Sequence, residues 1–137
     1  MAQQTTPYGL SITVPLGYDA AVERARAELA KEGFGVLTEI DVKKTLKQKL
    51  DAEFRPYVIL GACNPPLAQQ ALTAELDIGL LLPCNVVVYA ADTPGHSVVS
   101  VMDPVAALSL TGNKDIGPLA SQVRQRLERM LDAMARG

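Results

Sequence analysis

A chain of 137 residues has the size of one domain and is long enough to bury a core. With only four Tyr, two Phe and no Trp, that core must be aliphatic. A net charge of −2 gives no electrostatic bias towards nucleic acid, and no apolar run approaches the roughly 20 residues that span a bilayer.

Leu10-Ser11-Ile12-Thr13-Val14 alternates apolar and polar, the period of a half-buried strand, and Pro15 ends it. Asp19 is placed to cap a helix over about 20–32, with Val22, Ala25 and Leu29 as its apolar stripe and Gly33 as its stop. Residues 34–42 read as a second strand of imperfect period. A short helix over 43–50 follows, with Val42, Leu46 and Leu50 expected to face inwards. Its basic residues Lys43, Lys44, Lys47 and Lys49 are flanked by Asp41, Asp51 and Glu53, so they read as a solvated face.

Residues 57–62 form an apolar strand that runs into Cys63 and Asn64. Proline at position 65, where a missing N–H costs nothing, opens a third helix with Asn64 as its cap. Leu67, Ala68, Ala71, Leu72 and Leu76 are its expected inward residues. Ile78 to Leu82 reads as strand or buried turn. Residues 85–91 and 96–102 make a hairpin around Asp92-Thr93-Pro94-Gly95. Residues 105–110 are apolar and without a clear period. The last helix, about 118–135, carries the stripe Leu119, Val123, Leu127, Met130 and Met134. Arg124, Arg126, Arg129 and Arg136 on it are diluted by Glu128 and Asp132.

There are no repeats and no linker. The expected architecture is a single two-layer α+β domain, 1–137, with a mixed, mostly antiparallel sheet of about five strands and helices mainly on one face. Met1-Ala2-Gln3-Gln4-Thr5-Thr6 has no basic segment before an apolar core, so no secretory leader is expected. A cytoplasmic location follows as the expectation, with both cysteines reduced.

The run Gly33-Phe34, Ile40-Asp41-Val42, Pro56-Tyr57-Val58-Ile59-Leu60-Gly61-Ala62-Cys63-Asn64-Pro65 and Leu81-Leu82-Pro83-Cys84-Asn85-Val86-Val87-Val88-Tyr89 resembles the bacterial and archaeal family called domain of unknown function 302. The Cys-Asn-Pro and Leu-Pro-Cys segments carry the likeness most specifically. The resemblance implies a small α+β domain and a homodimer, and no established activity.

Cys63 is the sharpest candidate for chemistry. A thiol beside a helix N-terminus is acidified when exposed and binds soft metals, while a buried one behaves as a small hydrophobe. Whether Cys84 meets it depends on the chain between them. An eleven-residue helix returns about 16 Å, which gives a parallel crossover with the thiols at opposite ends of the sheet. Five further extended residues recover about 16 Å, which brings the thiols together. Met102 is a third soft atom expected near Cys84, or else a core residue. His96 follows a turn and has no orienting partner, so it reads as solvated. Glu39, Asp41 and Asp103 are scattered carboxylates with no pairing, and Asp103 before Pro104 reads as a turn former. Two cysteines without a histidine partner make no zinc signature.

Two functional readings follow. The favoured one is a non-catalytic, dimeric binding or accessory domain that uses Cys63, Asn64 and Cys84 around a groove for a small ligand or soft metal, with no nucleic-acid or membrane partner. No residue is assigned to catalysis and no particular metal or cofactor is implied. The alternative is a thiol-dependent redox enzyme or sensor with Cys63 as the reactive sulfur.

Overall fold

The computed structural model describes residues 4–137. The leader reading rests partly on residues 1–3, which lie outside the described residues. The strands are β1 (Gln4–Thr6), β2 (Gly9–Val14), β3 (Gly35–Asp41), β4 (Tyr57–Cys63), β5 (Cys84–Ala90) and β6 (Ser97–Met102). The helices are α1 (Tyr18–Lys31), α2 (Val42–Leu50), α3 (Pro65–Ala74), α4 (Pro104–Leu108) and α5 (Ile116–Arg136), with 3-10 segments at Leu76–Leu81 and Ser109–Thr111.

The strands form one open sheet in the order β1-β2-β6-β5-β4-β3, and every neighbouring pair is antiparallel. The α+β architecture is as expected, with six strands rather than five. The added strand, β1, is polar and exposed on an edge, so no hydrophobic period announces it.

Alternation along the strands builds the core. Leu10, Ile12 and Val14, Val58, Leu60 and Ala62, Val86 and Val88, and Val99 and Val101 are all buried on one face. Ala21, Ala25 and Leu29 of α1 and Leu127, Met130, Leu131 and Met134 of α5 cover that face. A second cluster, with Leu67, Ala71, Ile78, Leu108, Ile116 and Leu119, fills the space under α3, α4 and α5. On the other face of the sheet Tyr57 and Tyr89 are directly paired and their rings stack at 5.1 Å.

Local chemistry sets the element ends. Gly33, at φ +84°, closes α1: its N–H donates to Ala30 and that of Phe34 to Leu29, the paired bonds of a Schellman stop. The cap of α1 is Gly17 and not Asp19, because the helix begins two residues earlier than its apolar period; Asp19 lies in the first turn. The irregular period of β3 is a register shift between Val36 and Thr38, which leaves Leu37 unpaired and 65% exposed. Asp41 accepts from the Lys44 N–H at 2.9 Å and caps α2.

Two expected inward faces are corrected. In α2 no residue is buried; Val42 and Leu46 are half-buried and Leu50 is exposed, because the helix lies beside β3 and β4 at the sheet edge. In α3, Leu67 and Ala71 are buried, but Leu72 is exposed. The helix ends at Ala74, so Leu76 belongs to the next segment and is 83% exposed. That segment is a 3-10 turn rather than a strand, with Ile78 buried. Residues 105–110 become α4 and a 3-10 turn. Asp103 caps α4 through the Val105 N–H at 2.9 Å, and its carboxylate meets Arg124 at 3.3 Å, tying α4 to α5. No helix among the described residues is long and apolar enough to cross a membrane.

Candidate functional site: a cavity between two cysteines

β4 delivers Cys63 to the point where the sheet passes into α3. Asn64 is 8% exposed, and its side-chain oxygen accepts from the Leu67 N–H at 3.3 Å. Its backbone carbonyl accepts from the Ala68 N–H at 2.8 Å. The cap read from Asn64-Pro65 is therefore in place.

The next strand returns to the same end of the sheet. Ala62 pairs with Cys84 and Gly61 with Asn85, so β4 and β5 are antiparallel. The α3 and 3-10 excursion starts and finishes at one place, and the parallel crossover does not occur. Gly61 permits the close approach: a Cβ there would clash with the Thr38 hydroxyl and lie 2.9 Å from Pro83 Cγ.

Cys63 and Cys84 thus line one cavity of about 300 Å³. Its walls include Ala62, Leu67, Ala68 and Ala71 from the β4–α3 side and Leu82 and Pro83 from the return. Phe34, Leu108, Leu119 and Val123 close it from the rest of the fold. Asn64 is the one polar amide in the lining, and no lining side chain is ionised at neutral pH. Both cysteines are free; Cys84 is buried and Cys63 half-buried.

Burial pushes the Cys63 thiol above its ordinary value. Cys84 is pushed up to about 11, by burial first and by the charge of Cys63 second. The expected acidification of Cys63 by the α3 terminus thus gives way to desolvation. The reason is local. Pro65 and Pro66 carry no N–H, and the next two N–H groups, of Leu67 and Ala68, are spent on Asn64. The helix end offers Cys63 no free donor.

The other candidates lie elsewhere. Met102 occupies the face of β6 opposite to Val99 and Val101, whereas Cys84 shares the buried face of Val86 and Val88; Met102 does not line the cavity. Its expected approach to Cys84 fails because the hairpin pairs Val86 with Val101, which turns Met102 to the opposite face. His96 sits at the hairpin turn, with Nδ1 3.2 Å from the Pro94 carbonyl, about 20 Å along β5 from Cys84. Glu39 pairs with Arg26 at 2.6 Å, and Asp41 and Asp103 are helix caps. Lys47 bonds Asp51 and Glu53, Arg124 bonds Glu128, and Arg129 bonds Glu32. Among the described residues no three His, Cys, Asp or Glu gather as a metal-ligand set. Phe34, Leu82, Leu108, Leu119 and Val123 were not legible as site residues, since each lies in an apolar pattern that reads as core.

The comparisons match this fold. The crystal structure of an uncharacterized conserved protein of the same domain type from Bacillus stearothermophilus superposes with a TM-score of 0.83 at 31% identity, over 90% of this chain and 95% of that one. No curated protein matches. The family model for the domain of unknown function DUF302 matches residues 10–134, nearly the whole described chain. The protein is therefore a member of the DUF302 family.

Proposed function

We propose that this protein is a dimeric binding or accessory domain that holds a small, uncharged, largely apolar molecule in the cavity between Cys63 and Cys84. One observation carries the reading: the cavity has the volume of a small ligand site, about 300 Å³, and an apolar lining with no ionised side chain. A charged ligand would lose its hydration there with no counter-charge to replace it. Asn64 is the one amide side chain in the lining, and its oxygen is committed to α3. A soft metal is the weaker occupant, since the two thiols have no third ligand among the described residues and burial keeps both protonated.

The dimer is part of the proposal. Val105 and Leu110 are exposed apolar residues on the segment 105–110, and Leu110 is 78% exposed. A second copy would cover them. A cytoplasmic site of action fits two free thiols.

The test is a titration with N-phenyl-1-naphthylamine, a neutral apolar fluorophore. Saturable one-to-one enhancement is expected for the wild type. Ala68→Phe, which fills the cavity from the half-buried face of α3, is expected to abolish it with the circular dichroism spectrum unchanged. Equal binding by wild type and Ala68→Phe would place the probe elsewhere and end the reading. The redox alternative retains one favourable observation, the sharing of one cavity by two thiols.

A further inference from the structure

Exposed leucines gather at one end of the molecule. Leu37 and Leu72 border the cavity and are exposed, so they stand at its mouth. The register shift in β3 sets Leu37 there. Leu72 reaches towards Gly79, where its Cδ2 would lie 4.0 Å from an added Cβ. Gly79 also borders the cavity, and the 3-10 turn Leu76–Leu81 carries Leu76 and Leu80 on either side of it, 83% and 87% exposed. The turn that holds Leu110 is tied to the same place. The Asn113 amide donates to the Ala74 carbonyl at 3.2 Å and to the Glu75 carboxylate at 3.0 Å. The exposed surface of 105–110 therefore continues into the mouth of the cavity.

Leu37, Leu72, Leu76, Leu80 and Leu110 together leave on the order of 400 Å² of apolar surface in water, the size of the largest patch on an ordinary monomer. Two such patches face to face give about 800 Å², the apolar half of a standard interface of about 1,600 Å². The region also complements itself. Beside Leu110 lies a cleft of about 160 Å³, whose lining includes Val105, Leu108, Ile116 and Ala120. With protruding leucines and an apolar cleft on one surface, a two-fold axis seats a leucine of each copy in the cleft of the other.

We propose that a second copy of this chain covers the leucine mouth, so that the cavity is complete only in the dimer. This link rests on the cavity and dimer readings above and joins them. In a lone chain a ligand at the mouth keeps part of its apolar surface in water. The partner takes that part out of water, an effect the size of about two methylenes, or about tenfold in affinity. By reciprocity the ligand then tightens the dimer.

The test uses the full chain. Leu76→Glu with Leu80→Glu places charge on the covered surface, and neither residue borders the cavity. Leu76→Ser with Leu80→Ser is the milder pair. Sedimentation equilibrium gives the mass and the dimer dissociation constant, circular dichroism checks the fold, and titration with N-phenyl-1-naphthylamine gives the affinity. The wild type is expected to be a dimer that binds the probe, with a dimer dissociation constant that falls when the probe is saturating. The glutamate pair is expected to be a folded monomer that binds about tenfold more weakly. A wild-type monomer, or a glutamate pair that stays dimeric, would overturn the covering. A monomeric glutamate pair with unchanged probe affinity, or a dimer constant that the probe does not move, would overturn the completion. If the glutamate pair does not fold, the serine pair decides by the same two measurements. A wild-type dimer that does not bind the probe would sink the cavity reading and the completion with it, while the masses of the variants still decide the covering.

Discussion

Ala62 and Cys84 stand opposite each other in the β4–β5 ladder, and this pairing sets both thiols at one end of the sheet. Everything proposed for the site depends on it. The antiparallel return places Pro83 over Gly61, opens a space under α3, and leaves that space lined by apolar side chains, the two cysteines and Asn64.

The thiols should titrate late. Cys63 is expected to alkylate before Cys84, with its midpoint above the ordinary thiol range; Cys84 should follow with a midpoint near 11. The sign for stability follows. In the unfolded chain both thiols ionise first, so folding is favoured by their burial below the ordinary thiol range. That contribution is lost as pH rises from there towards about 11. Denaturant midpoints should fall over this range, and less steeply in Cys84→Ser. Iodoacetamide rates against pH, read by mass for each cysteine, check the order; a Cys63 midpoint below the ordinary range would contradict the burial argument.

Asn64 joins the strand end to α3. Asn64→Ala removes the acceptor for the Leu67 N–H and is expected to cost about 1 kcal/mol. Asn64→Asp, which keeps an acceptor, should cost less. Urea unfolding measures both, and equal losses would show that the cap oxygen is not the group that matters.

The two faces of β5 should answer differently to charge. Val88 is fully buried, so Val88→Asp places a carboxylate in the core and should prevent folding. Val87 is half-buried on the opposite face, and Val87→Asp should leave a folded chain of reduced stability. Circular dichroism of the two purified variants distinguishes them; a reversed order would mean that the register is wrong by one residue.

Much of this fold was legible because its signals are local. The Leu119, Leu127, Met130 and Met134 stripe predicts α5, Gly33 ends α1, and Asn64 with Pro65 opens α3. What failed concerns what lies opposite. The patterns of Leu50, Leu72 and Leu76 say that a helix has an apolar side, not that anything covers it. The meeting of Cys63 and Cys84 turns on the path of residues 76–82, whose apolar run fits strand and 3-10 turn alike. The unacidified thiol was readable: Pro65 and Pro66 together remove two donors from the helix end.

Dimerisation is checked by light scattering. Twice the chain mass is expected at micromolar concentration, and Leu110→Glu with Val105→Glu should shift it towards the monomer by placing charge on the exposed apolar segment. A monomer mass for the wild type would remove the dimer from the account.

The central claim is that the cavity selects neutral apolar molecules. Calorimetric titration of the reduced protein with n-alkanols of increasing length, and with the matching n-alkanoates, tests it most directly. Each added methylene should improve alkanol affinity about fourfold, the equivalent of about 0.8 kcal/mol, until the cavity is filled. The alkanoates should bind more weakly at every length. Affinity that ignores chain length, or that favours the carboxylates, would contradict the account.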